Sequence, residues 1–146
     1  MLKKCAWEKY DKKELKELES LSAGYREFLD NGKTERECID TIVNTIEAEG
    51  YRELEELIKE GKQVKTGDKV YSVWMNKSIA MFQIGRKPMT EGLNILGAHI
   101  DSPRMDVKQN PLFEDGDHTF AYLDTHYYGG VKKYQWVALP LAIHGV

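Results

Sequence analysis

The chain has 146 residues, 41% of them hydrophobic and 31% charged, with a net charge of −3. That is enough apolar material for one core of ordinary domain size and too much for a disordered chain. The acidic balance, with no basic stripe or tail, excludes nucleic acid and anionic membrane surfaces as expected partners, and no apolar stretch reaches the length of a membrane span.

The opening residues, Met1-Leu-Lys-Lys-Cys-Ala-Trp7, lack the apolar segment of a secretory signal. Cys5 and Cys38 show no paired spacing, which predicts reduced thiols in a cytoplasmic protein. Leu15, Leu18, Leu21, Tyr25, Phe28 and Leu29 recur at three- and four-residue steps, predicting a helix over Lys9 to Asp30 with a left-handed stop at Asn31-Gly32. Thr34-Glu-Arg-Glu37 is a capping box. The helix it starts carries Cys38, Ile39, Ile42, Val43 and Ile46 on one face and ends at Gly50, with Cys38 a small core residue. A third, acidic helix is expected from Tyr51 to Lys59, stopped by Gly61, with solvated charges on its outer face.

The pattern then changes. Lys62 to Lys69 is a polar connector. Val70 to Met75 and Ser78 to Ile84 are rich in β-branched and aromatic residues and predict a hairpin about Asn76-Lys77. After the loop Gly85–Gly92, the run Leu93-Asn-Ile-Leu-Gly-Ala98 reads as a buried strand that leaves its sheet before Pro103. On such a strand His99 and Asp101 share a face at the C-terminal end, where open α/β sheets place their ligands. A carboxylate that accepts from one imidazole nitrogen fixes the tautomer and leaves the other nitrogen for a metal; a polar pair capping a strand end is the alternative.

Beyond Pro103, Met105 to Lys108 predicts a short strand, Asn110 to Asp117 a turn-rich loop, and Phe120 to His126 and Val131 to Val146 further strands about Gly129-Gly130. Helices followed by strands make an α/β class, with a domain boundary near residues 103 to 106. The apolar closing run from Trp136 to Val146 suggests the N-terminal portion of a longer protein. His118 is expected solvated, His126 on a strand face and His144 in an apolar strand. None has a carboxylate two residues on, as His99 has. Trp7, Trp74 and Trp136 read as core or interface aromatics, and Arg104 and Lys108 as solvated or paired charges.

Asn94-Ile-Leu-Gly-Ala-His99-Ile-Asp-Ser-Pro-Arg104-Met-Asp106 resembles the signature strand of the aspartyl aminopeptidase family, which includes the vacuolar aminopeptidase I type. Tyr128-Gly129-Gly130 with Trp136 beyond it resembles a second segment of the same family. The resemblance implies a zinc-dependent aminopeptidase acting on peptides, with His99 a metal ligand and Asp101 the catalytic-site carboxylate that orients it. It implies two zinc ions per complete site, with the bridging Asp, the general-base Glu and the other ligands beyond residue 146, so that the 146 residues alone are inactive. It implies a fold in which residues 1–103 are the first segment of a catalytic domain of helices and mixed sheet. Residues 104–146 then begin an inserted β-rich domain that drives homo-oligomer assembly. After Trp136 many members have Asp-Arg, whereas this chain has Val137-Ala138-Leu139-Pro140; the resemblance therefore carries no particular preference for acidic residues. A non-catalytic assembly module, with His99 and Asp101 as a structural cap, is the competing reading.

Overall fold

The computed structural model describes residues 5–146. The chain divides into two compact units, one up to Gly97 and one from Ala98 onward.

In the first unit, α1 (Lys12–Asn31) and α2 (Glu35–Ala48) pack against each other. Both start with full capping boxes: Asp11 with Glu14, and Thr34 with Glu37. The stop after α1 differs from the expected one. Gly32 has φ −100°, outside the left-handed region. It is glycine for space: a Cβ there would lie 2.6 Å from Cys38 Sγ and 3.2 Å from the Phe28 carbonyl oxygen. Cys38 is buried against this turn, its thiol directed at the Gly32 carbonyl at 3.6 Å. Burial, with Glu35 and Glu37 beside it, pushes that thiol above its ordinary pKa.

These contacts set apart two glycines of one helical hairpin. Gly32→Ala should destabilise the chain by about 1–3 kcal/mol, because the new methyl must displace a buried sulfur. Gly24→Ala, inside α1 where a Cβ would meet nothing within 4 Å, should stabilise it by about 0.5–1 kcal/mol. Urea midpoints of the two variants should move in opposite directions.

The expected third helix begins later than its pattern suggests. Arg52–Glu53 form β1, which pairs in parallel with β2 (Lys69–Trp74), and α3 spans only Leu54–Lys59. Pairing with β2 outweighs the local helical preference at these residues. The predicted hairpin is present as β2 and β3 (Ser78–Gln83), in register from Lys69↔Gln83 to Trp74↔Ser78. Met75 and Asn76 turn it with φ values of 52° and 51°, and the twist of such a turn matches that of the strands. The sheet order is β1-β2-β3. Consecutive residues Val70 and Tyr71 point to opposite faces, and both are buried, so β2 is covered on both sides. Tyr71 donates its hydroxyl to Glu47 of α2 at 2.6 Å, which ties sheet to helix. Cys38, Ile39, Leu57, Val70 and Tyr71 form the core.

The apolar run before His99 is not a strand. Leu93 to Pro103 has no regular structure, and Ile95 and Leu96 are 83% and 99% exposed. Apolar side chains do not make a strand unless the backbone N–H and C=O groups find a ladder, and no strand among the described residues pairs with this run.

The second unit is a two-stranded antiparallel ribbon, β4 (Arg104–Glu114) with β5 (Ala121–Tyr128). The expected short strand and turn-rich loop are therefore mostly one long strand. It passes through Pro111, which cannot donate to a ladder, by breaking register: Val107 opposes Thr125, but Leu112 opposes Leu123. Lys108 reaches from this bulge to Asp124 at 2.9 Å. The predicted strand from Val131 to Val146 is absent. One helical turn, α4 (Lys133–Trp136), is followed by irregular chain in which Ile143 is exposed. His144 accordingly lies on exposed irregular chain and not in an apolar strand. Trp7 and Trp74 are exposed, and neither is a core aromatic here. No helix among the described residues is long and apolar enough to cross a membrane.

Candidate metal-ligand site

His99 and Asp101 come together as their spacing predicts, although no strand carries them. His99 Nδ1 lies 3.0 Å from Asp101 Oδ1 and 3.0 Å from the Asp101 carbonyl oxygen. The imidazole is 85% exposed, so Nε2 is open to an incoming ligand. Irregular backbone achieves what alternation along a strand would have done, because two residues are a short enough step for the carboxylate to fold back onto the ring.

The other oxygen of Asp101 is also engaged. Tyr128, the last residue of β5, donates its hydroxyl to Oδ2 at 2.8 Å. This hydrogen bond is the main reason the Asp101 carboxyl sits below the usual carboxylate range, with His99 acting in the same direction. Tyr128 opposes Arg104 across the ribbon, and the Arg104 guanidinium lies over its ring, 4.3 Å from the centroid. Arg104 Nε in turn donates to Asp106 at 2.7 Å, so Arg104 is a structural charge and no open substrate contact. Gly129 follows with φ +72°, and a Cβ there would come within 3.4 Å of Pro103. His-Ile-Asp-Ser-Pro and Tyr-Gly-Gly, which look independent in the sequence, are thus one packed unit. The Tyr128 hydroxyl was the element missed by sequence reasoning; only its place beside the Tyr-Gly-Gly glycines marked the segment.

The remaining histidines fall elsewhere. His118 is exposed as expected, but it pairs with Glu114 at 2.7 Å, a partner four residues back. Among the described residues Glu114 receives no second donor such as Tyr128 gives Asp101. His126 faces the Tyr127 carbonyl at 3.4 Å. One cleft of the first unit is bordered by Arg52, Lys62 and Lys69. Arg52 and Lys62 are committed to Glu60, and Lys69 to the Glu49 carbonyl, so the cleft offers no comparable ligand set.

A histidine whose Nδ1 is braced by a carboxylate and whose Nε2 faces outward has the arrangement that metal-ligating histidines usually show. The donor chemistry fits zinc, which takes imidazole nitrogen readily. No group of three or more His, Cys, Asp or Glu that could hold a metal occurs among the described residues. Zinc sites use at least three protein ligands, so His99 by itself does not make a closed site.

Comparison with known proteins agrees with this class. The family model "Aminopeptidase I zinc metalloprotease (M18)" matches residues 28–146, and the chain belongs to that family. It is 56% identical over 143 residues to "Probable M18 family aminopeptidase 1" of Clostridium acetobutylicum, covering 98% of this chain and 30% of that protein. The protein of the same name from Thermotoga maritima is 42% identical over 146 residues, covering 100% of this chain and 30% of its own length. The crystal structure of aminopeptidase I from Borrelia burgdorferi B31 superposes with a TM-score of 0.84 at 32% identity, over 94% of this chain and 32% of that one. That of aminopeptidase I from Clostridium acetobutylicum gives 0.76 at 53% identity, over 96% and 31%. The chain therefore spans less than a third of the length of the relatives it matches.

Proposed function

We propose that this chain supplies the first part of a zinc-dependent aminopeptidase that releases N-terminal residues from peptides, with His99 as a zinc ligand. The observation that carries the reading is the Asp101 carboxylate held between His99 Nδ1 and the Tyr128 hydroxyl, with Nε2 turned outward. Asp101 keeps His99 in the Nδ1–H tautomer and makes Nε2 the better donor. Zinc, when bound, supplies charge stabilisation for a peptide carbonyl and acidifies water. Two ions per complete site suit this chemistry, because the attacking and leaving groups can then be stabilised together.

Residues 1–103 belong, in this reading, to the catalytic domain, and residues 104–146 begin a β-rich association domain. The β4–β5 ribbon supports the second assignment: a lone two-stranded ribbon is marginal in water, and Val107, Phe113 and Leu123 stand half-exposed on it. Assembly into a homo-oligomer would cover them. We read the setting as cytoplasmic, and the two cysteines without paired spacing support that reading.

Activity should accordingly need more chain than these residues. A protein extended to the length of the relatives should cleave aminoacyl amides, lose that activity to a chelator and regain it with zinc. The 146-residue chain should neither cleave nor bind zinc tightly, since it holds one ligand of the set. Zinc-restored turnover by the 146 residues alone, or metal-independent turnover by the longer protein, would overturn the assignment.

A further inference from the structure

Asp101 lies on irregular chain, and its carboxylate is engaged by its own backbone N–H, by His99 and by Tyr128. The imidazole of His99, at 85% exposure, is held at Nδ1 by the carboxylate and the carbonyl oxygen of Asp101. Of the side chains that meet Asp101, Tyr128 is the one anchored in regular structure. Its backbone is in register with Arg104 at the end of the ribbon, and the Arg104 guanidinium covers its ring at 4.3 Å. Arg104 is restrained by Asp106, and both side chains are less than a third exposed, at 27% and 30%. A Cβ at Gly129 would lie 3.4 Å from Pro103, so the chain leaving β5 passes close to the segment that carries Asp101.

We propose that Tyr128 is a positioning residue of this site. By donating to Asp101 Oδ2 at 2.8 Å it turns Oδ1 onto His99 Nδ1 and thereby aims Nε2. Arg104 holds the phenol in place, so the order of action runs from Arg104 through Tyr128 and Asp101 to His99. The consequence for zinc rests on the reading of His99 as a ligand; the effect on the imidazole tautomer does not.

The test uses Tyr128→Phe, which keeps the ring under Arg104 and removes only the hydroxyl, with Tyr127→Phe on the same strand as control. The tautomer of His99 is read in the metal-free 146-residue chain from its ring nitrogen chemical shifts near pH 8. His99 should be Nδ1–H in the parent chain and in Tyr127→Phe. In Tyr128→Phe it should move toward the Nε2–H form that an unrestrained imidazole prefers. In the protein extended to the length of the relatives, Tyr128→Phe should weaken zinc binding by about 3- to 10-fold. That is less than the roughly 10- to 100-fold expected for loss of Asp101, the carboxylate that touches the ligand itself. KM for peptide at saturating zinc should be unchanged.

An unaltered Nδ1–H tautomer in Tyr128→Phe would overturn the proposal, and if His99→Ala still lost zinc the functional reading would survive that failure. A shifted tautomer together with full zinc binding in His99→Ala would support the positioning role and overturn the metal assignment instead.

Discussion

His99→Ala, in a protein long enough to complete the site, should abolish peptidase activity and lower bound zinc by more than the loss of any supporting residue. In the proposed reading the imidazole is the one ligand that the described residues contribute, and alanine offers no donor atom in its place. Asp101→Asn is the informative comparison. It keeps the shape of the side chain and an oxygen acceptor but removes the charge that braces Nδ1. Its expected cost is about 10- to 100-fold in zinc affinity or activity, with metal still bound. Metal content of the purified variants and turnover with an aminoacyl amide distinguish the two effects. Equal losses in both variants would mean that Asp101 binds zinc directly, and a structure with an Asp101 oxygen about 2.0–2.2 Å from the ion would show it. Full occupancy and normal turnover in His99→Ala would remove His99 from the site.

Ile39→Ala should produce the largest loss of stability of any single core truncation. Ile39 is 1% exposed and is the one fully buried large side chain among the described residues. It sits on α2, which packs against both α1 and β3, so a cavity there weakens the helical hairpin and its seat on the sheet together. Truncation of a buried Ile to Ala costs about 2–5 kcal/mol, and Ile39→Val should cost about 0.5–1.5 kcal/mol. Chemical denaturation of the two variants gives the comparison. Loss of less than about 1 kcal/mol in Ile39→Ala would show that the surroundings collapse to fill the space.

The first unit was the more legible part, because its signals are local. A capping box is a four-residue device, and the Thr34–Glu37 box opens α2 where the sequence places it. The alternating, β-branched run of β2 and β3 forms its hairpin because the turn and both strands lie within fifteen residues of one another. Failures began where a residue's conformation depends on a distant neighbour. Arg52 and Glu53 have the composition of a helix start but pair with Val70 and Tyr71. Leu93 to Ala98 have the composition of a buried strand but lack a strand to pair with among the described residues. Pro111 suggested a loop, and the ribbon absorbed it in a bulge anchored by Lys108 and Asp124.

The candidate site divides in the same way. Its two nearest members were determined by the sequence alone: His99 and Asp101 are two positions apart, and at that spacing a carboxylate can reach an imidazole whether the backbone is a strand or irregular. The resemblance of the surrounding residues to aminopeptidase motifs was likewise present in the letters. Only the tertiary structure decided what holds the pair. Asp101 and Tyr128 are 27 positions apart, and nothing in composition or period predicts that the second oxygen of Asp101 accepts from that hydroxyl. The register of β4 with β5 brings them together by setting Arg104 opposite Tyr128. Register is a property of the paired strands, so the bracing of the site became visible only with the fold.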